Sequence, residues 1–403
     1  MSWSYDMRPE PGLPVPAYWT AYLPGGTTGA EPPGGGRALL EAAAGYWTRR
    51  GLPGEGLTVL AAPGAEPLLL AALAASEGDP VLARPSAAWQ APVVRLLGRR
   101  VHTVPTPAEG GGVPDPFALL ETVRRARADG GDPRLLVVSA ADDPSGTVTA
   151  PELLHETCEA AAEAGLLIVS DETYSDTLHR RETVLLGPAE MLPEHTVVIT
   201  DLGATLVPVT VPAGLARFPA TAHGAAWRER AVGVLAALRA VLPAPVAPAV
   251  ARTLAEPPEV TAYRAAAGRL HARVAAAAFR AVTEAGAVCR PPTAGFQLYP
   301  TAGSPGPRAA ERAEEQLSAA LGRLVPGGHR FGDDPQEARV RIDTGALHGA
   351  TQAERRTALA AADPLAVPHV AAGLAALRAA FTALTGADAV SGSADTGSRG
   401  RGA

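Results

Sequence analysis

Residues 135–154, LLVVSAADDPSGTVTAPELL, and residues 166–176, LLIVSDETYSD, decide how the chain is read. Each opens on a short, continuous apolar run without polar alternation, the mark of a strand buried on both faces. Between them, Leu153, Leu154, Cys158, Ala161 and Ala162 recur at helical spacing. Thr149 and Glu152 form a T-x-x-E capping box, with Pro151 in the first turn and Gly165 as the stop. The pair therefore reads as strand, turn, helix, strand. Asp171 closes the second strand, where an open α/β sheet gathers its ligands.

The same alternation continues outward. Further apolar runs at 58–61 and 196–200 are interleaved with helical segments at 37–50, 66–75 and 116–128. This predicts an α/β fold: a large domain with a mostly parallel sheet flanked by helices, plus a smaller C-terminal α/β domain. Pro243, Pro245 and Pro248 break the chain after a helix at 222–241. Beyond them come a helix at 260–285, a stretch at 287–299, a helix at 308–323, a strand at 340–342 and a final helix at 368–385. We divide the chain into an arm (1–36), a large domain (37–245), a small C-terminal domain (246–388) and a Ser/Gly-rich tail (389–403) expected to be disordered.

Composition bounds the function. With 403 residues, 47% of them apolar, the chain can bury a sizeable core. A net charge of −6, with no basic stripe interleaved with aromatics, argues against a nucleic-acid role. Cys158 and Cys289 lack metal or disulfide spacing and read as small core residues in a reducing compartment. No leader pattern and no apolar run of about 18 residues is visible, so the expectation is a cytoplasmic protein with no membrane role. All 35 basic residues are arginine; the sequence contains no lysine.

The two opening stretches resemble the class I/II aminotransferases: a strand followed by N-P-T-G and a helix, then a strand ending in D-E-x-Y. Weaker matches flank them in the same order: GGGRALLEAAAGYWTRRGL (34–52), TVLAAPGAEPLLLAALAASEGDPVLARPS (58–86), PTAGFQLYP (292–300) and ARVRIDTGA (338–346). The resemblance covers about residues 34–346. It implies the fold type I architecture of pyridoxal-phosphate enzymes and a homodimer with sites at the interface.

It also implies roles, residue by residue. Asp171 matches the anion beside the cofactor's pyridine nitrogen, and Tyr174 the phenol near its O3′. Asp143 stands where the family has Asn, a second O3′ partner. Arg341 matches the arginine that grips a substrate carboxylate, with Arg339 two residues away on the same face. Gly64-Ala65-Glu66 replaces a turn whose backbone amides hold the phosphate. Ala204 takes the position of the Schiff-base lysine. Asp201 and Pro212 replace a phosphate-binding Ser and Arg, leaving Arg217 as the nearby cation, and Ala87 replaces the stacking aromatic, with Trp89 close by.

The expectation is a degenerate family member, a pseudo-aminotransferase without cofactor. It would act as a scaffold, a partner in a homodimer or a heterodimer with an active paralogue, or a binder of a small amino acid or carboxylate. Two alternatives are a repurposed cofactor-independent enzyme using the old carboxylate pocket, and an enzyme binding pyridoxal or pyridoxamine phosphate non-covalently. No catalytic residue and no metal site is assigned.

Overall fold

The computed structural model describes residues 9–23, 31–52, 58–107, 111–180 and 182–395, the segment 387–395 by its backbone alone. The first part of the arm and the end of the tail, 396–403, lie outside the described residues. Seven strands form the main sheet: β1 (Val59–Ala62), β2 (Asp79–Arg84), β3 (His102–Pro105), β4 (Pro133–Val138), β5 (Leu167–Asp171), β6 (Thr196–Asp201) and β7 (Gly214–Arg217). Their order is β1-β7-β6-β5-β4-β2-β3. The ladder from β3 to β6 is parallel, and β7 runs antiparallel between β1 and β6. The expected α/β sheet is therefore present.

Burial on both faces explains the unbroken apolar runs. On one face Leu60, Val137, Val169, Val197, Ile199 and Ala216 pack against Ala65–Ala74 and Ala222–Ala237. Trp227 is buried there and donates its indole N–H to the Ala72 carbonyl at 2.8 Å. On the other face, Leu136, Val138 and Ile168 meet Pro116–Ala128 and Pro151–Glu163. Val198 and Leu215 join Leu39 and Trp47 of Arg37–Arg49. Cys158 is buried and Cys289 half-buried, both as free thiols.

A second core gathers Pro258–Glu284, Ala309–Leu321 and Pro368–Asp395 around a two-stranded ribbon of β8 (Gln297–Leu298) and β9 (Ile342–Asp343). The segment around Pro11–Pro16 straps this part to the turn after β6. Tyr263 donates its hydroxyl to the Pro14 carbonyl at 2.7 Å, Val15 N–H reaches Gln352 at 2.9 Å, and Arg355 pairs with Glu10 at 3.1 Å.

Several boundaries depart from the sequence reading. The capping box does not form: Ala150 is the N-cap and no side chain caps the helix. Thr149 lies outside because its N–H is bonded to the Ala140 carbonyl at 2.9 Å, beside the Ala141–Val148 bridge. The strand expected at 340–342 pairs with β8 only from Ile342, since Val340 bridges to Gly327. The final helix runs on to Asp395, past its expected end. Strands β2, β3 and β7 went unassigned; β7 is four residues long and carries both a glycine and an arginine.

The parallel register sets the site. Asp171 lies opposite Ile199, and Asp201 opposite Gly214, so both aspartates emerge on one face at the sheet's C-terminal edge. Gly214 permits this packing: a Cβ there would sit 2.6 Å from the Gly64 carbonyl carbon and 3.0 Å from the Thr200 oxygen, both backbone. Gly214→Ala is expected to destabilise the fold by at least about 1–3 kcal/mol, since backbone cannot swing aside; urea unfolding would reveal it, and an unchanged midpoint would contradict the packing.

His271, in Pro258–Glu284, is buried against Phe296 and His348, at 5.0 and 5.1 Å between ring centroids, and neither ring nitrogen has a hydrogen-bond partner. Burial holds its pKa well below 6.5. The neutral ring is the folded form, so its contribution is complete above pH 6.5 and is lost as pH falls toward the depressed folded value. His271→Leu should be at least as stable as the wild type at neutral pH and lose less stability on acidification. Equal acid sensitivity of the two proteins would refute this.

Candidate active site

Three aspartates reach the C-terminal edge of the sheet: Asp171 ending β5, Asp201 ending β6, and Asp143 in the turn after β4. All three are buried. Ionised carboxylates removed from water need donors, and each finds them within the chain.

Asp171 accepts from the Thr173 hydroxyl at 2.7 Å and the Thr173 N–H at 3.1 Å on one oxygen. Its other oxygen faces the Gln90 amide at 3.4 Å. Burial pushes its pKa up to about 6, against the lowering effect of Thr173. Asp201 accepts from Gly203 N–H at 2.8 Å and from Ala65 N–H at 3.3 Å. Ala65 is the first residue of Ala65–Ala74, with Gly64 as N-cap at a positive φ. The anion-attracting end of that helix thus already faces an internal carboxylate.

Asp143 meets Arg341. The guanidinium Nη1 lies 3.2 and 3.4 Å from the two carboxylate oxygens, and its Nε donates to Asp343 at 3.0 Å. Arg341 is only 1% exposed and sits over the Phe331 ring at 5.0 Å. Burial raises the pKa of both Asp143 and Asp343, against the pull of Arg341.

Tyr174 and Ala204 close the middle. Ala204 ends the short 3-10 turn Leu202–Ala204, and its methyl belongs to a small apolar cluster with Ala141, Tyr174, Ala294 and Phe296. Tyr174 is edge-on to Phe296 at 5.6 Å. Burial, and next the charge of Asp143, hold its phenol far above the ordinary range. The turn after Tyr174 is anchored from outside: Asp176 accepts from Arg50 at 2.6 Å, Arg264 at 2.9 Å and Tyr46 at 3.0 Å.

The structure brings together Gly64, Ala65, Asp143, Asp171, Tyr174, Asp201, Ala204 and Arg341. Other named residues go elsewhere. Arg217 aligns with Val198 in the ladder, on the face away from Asp171 and Asp201, where its charge falls near Glu172. Trp89 packs into the core beneath Ala65–Ala74. Arg339 pairs with Asp333 at 2.9 Å, half-exposed, which leaves Arg341 as the inward arginine. Pro212 is exposed and Ala87 buried.

Sequence reasoning missed Gln90, Thr173, Asp343 and Phe296. Thr173 and Asp343 each stand two residues from a named residue, a spacing that shares a face in extended chain. Nothing in the sequence marked Gln90. Asp142 and Glu172, next to the named acids, are also buried, and burial carries each pKa to about 7. Among the described residues no His/Cys/Asp/Glu group could hold a metal ion, and no helix is long and apolar enough to cross a membrane.

Comparison with known proteins agrees with this architecture. Residues 21–204 match the family described as aminotransferase class I and II. A 107-residue stretch is 36% identical to a probable aspartate/prephenate aminotransferase of Thermus aquaticus and, equally, to the aspartate/prephenate aminotransferase of Thermus thermophilus. That stretch is 27% of this chain and 26% of either relative, so the match spans about a quarter of their length. The fold is shared more widely. Aspartate aminotransferase from Thermus thermophilus with maleate superposes with a TM-score of 0.73 at 24% identity, over 86% of this chain and 88% of its own. The aromatic aminotransferase of Pyrococcus horikoshii gives 0.74 at 20%, over 92% and 94%. N-succinyldiaminopimelate aminotransferase of Mycobacterium tuberculosis gives 0.73 at 22%, over 92% of each chain. The match over residues 21–204 and the shared sheet thus make the chain similar to the class I and II aminotransferases in fold and, over somewhat less than half of its length, in sequence.

Proposed function

We propose that this protein is a non-catalytic member of the class I and II aminotransferase family, a scaffold or regulatory partner that pairs with a second copy or with an active relative. The observation that carries this reading is Ala204. It occupies the turn where the resemblance calls for the cofactor's lysine, it belongs to an apolar cluster with Tyr174, Phe296 and two alanines, and the sequence has no lysine to substitute. An amine is needed both to tether the aldehyde and to shuttle protons.

The remaining residues fit the phosphate-bearing cofactor poorly. Asp201 presents a carboxylate to the Ala65 amide, where a phosphate would need donors alone. Each such anion opposes a nearby dianion by roughly 1–4 kcal/mol, depending on the effective dielectric. Arg217 stands on the far face of the sheet, and Ala87 offers no ring to stack on.

One observation favours a second reading, a repurposed enzyme without cofactor. Asp171 at about 6, and Asp142 and Glu172 at about 7, are carboxyl groups poised near neutrality, which suits general acid–base work. Turnover of any amino or keto acid by the purified chain, lost in Asp171→Asn, would favour it.

The test of the first reading is direct. Protein incubated with pyridoxal phosphate and dialysed should retain no absorbance band beyond that of the protein, and light scattering should give twice the chain mass or a mixed dimer with an active relative. Ala204→Lys alone should also retain no band, because Asp201 remains at the helix start. A retained band in the wild type would sink the proposal. A band gained by Ala204→Lys would show that the phosphate site is intact.

A further inference from the structure

We propose that the cleft between the turn after Tyr174 and the helix Pro258–Glu284 binds a linear polyphosphate, free or carried on a nucleotide. The cleft has a volume of about 530 Å³. Asp176, His179 and Arg180 line it from the turn, and Arg264, Gly268 and Arg269 from the helix. None of its lining residues is among those matched above to cofactor or substrate roles.

The first argument is charge. Asp176 is the only acid in the lining, and it is already matched by Arg50 at 2.6 Å and Arg264 at 2.9 Å. Behind it, Glu256 accepts from Arg49 at 2.6 Å, from Arg50 at 2.9 Å and from Arg264. Glu259, earlier on the helix, accepts from Tyr22 at 2.6 Å. Arg180 and Arg269 are exposed, and among the described residues no acid pairs with either. Five arginines thus stand against Asp176 and Glu256, in a chain whose net charge is −6. His179 adds nothing to this surplus: its ring faces the Gly295 carbonyl at 2.8 Å and the Pro292 carbonyl at 3.3 Å, and burial lowers its pKa. A cleft lined by one sign of charge concentrates ions of the other.

The second argument is shape. Helical spacing puts Thr261, Ala265, Gly268 and Ala272 on one stripe, with Arg264 on one side of it and Arg269 on the other. A Cβ at Gly268 would meet nothing within 4 Å, so the floor between the two arginines is open. They lie about 7.5 Å apart along the axis, a spread that suits a chain of phosphates better than a single one. A second cleft of about 470 Å³ shares His179 and Arg269 and continues the groove to Arg273, which pairs with Asp363 at 2.8 Å.

The third argument is unmet donors. In the lining, Arg264 Nε and the Ser175 hydroxyl are buried and have no hydrogen-bond partner among the described residues. Phosphate oxygens would supply acceptors there, and guanidinium forks match them bidentately while staying charged at any working pH.

The experiment is titration calorimetry of the full chain with inorganic tripolyphosphate and with ATP, in about 0.15 M sodium chloride. One or both should bind. Arg180→Ala/Arg269→Ala should weaken binding at least about tenfold and leave the urea midpoint unchanged, since both side chains are exposed. Arg124→Ala, whose arginine pairs with Glu121 at 2.7 Å on another helix, should bind as the wild type does. Tighter binding of ATP would mark a nucleotide as the source, and ATP no tighter than tripolyphosphate a bare chain; both support the proposal. No heat with either probe, undiminished heat in the double variant, or an equal loss in Arg124→Ala overturns it. So does tighter binding of poly-glutamate, which would make the cleft a site for acidic peptides. None of these readouts involves Ala204, so this inference and the non-catalytic reading fail separately.

Discussion

The constraint on which this structure turns is the desolvation of acids at one edge of a parallel sheet. Parallel strands covered on both faces deliver their C-terminal residues to a common, water-poor crevice. Here those positions or their neighbours are Asp142, Asp143, Asp171, Glu172 and Asp201, and burial is the largest influence on every pKa resolved among them. A fold that collects carboxylates in this way must either neutralise them or supply donors. Much of the local architecture does one or the other.

Donors come first from nearby backbone and hydroxyls: Thr173 for Asp171, Gly203 and Ala65 for Asp201, Ser145 for Asp142. Asp143 draws on the buried Arg341 as well, and Glu172 feels the charge of the buried Arg217. Taking an ion pair out of water costs several kcal/mol per ion, recovered only when the geometry is good. Arg341 sits between two acids and above an aromatic face, which spreads its charge over more partners than one good salt bridge would. The pair is thus weak evidence for a net gain in stability.

The fold was legible where the physics is local. Continuous apolar runs revealed β4, β5 and β6, and helical periodicity revealed the layers between them, because burial on two faces leaves a plain signature in composition. Strand β7 was not legible: its antiparallel insertion between β1 and β6 depends on Gly214 fitting against Gly64, a contact between distant residues. The capping box failed for a related reason, as a long-range bridge held Thr149 outside the helix. At the site, the pairing of residues through the family pattern brought Asp171, Tyr174, Ala204 and Arg341 to one place. What the pattern could not reveal is that Asp143 and Arg341 bind each other. That fact depends on a turn after β4 meeting a strand of the second core, and no spacing within the sequence encodes it.

This electrostatic setting also bears on what a lysine at position 204 would meet. A lysine at that position would stand beside Tyr174, whose surroundings include the charges of Asp143 and Asp171, with Asp201 in turn near Asp171. Opposite charges favour the ammonium form and raise its pKa, whereas a nucleophilic amine must be deprotonated near neutral pH. Arg341 cannot offset those acids, because its own charge is already drawn toward Asp143 and Asp343. The carboxylate at the helix start and the carboxylate on the arginine therefore belong to one electrostatic arrangement around Ala204 and Tyr174.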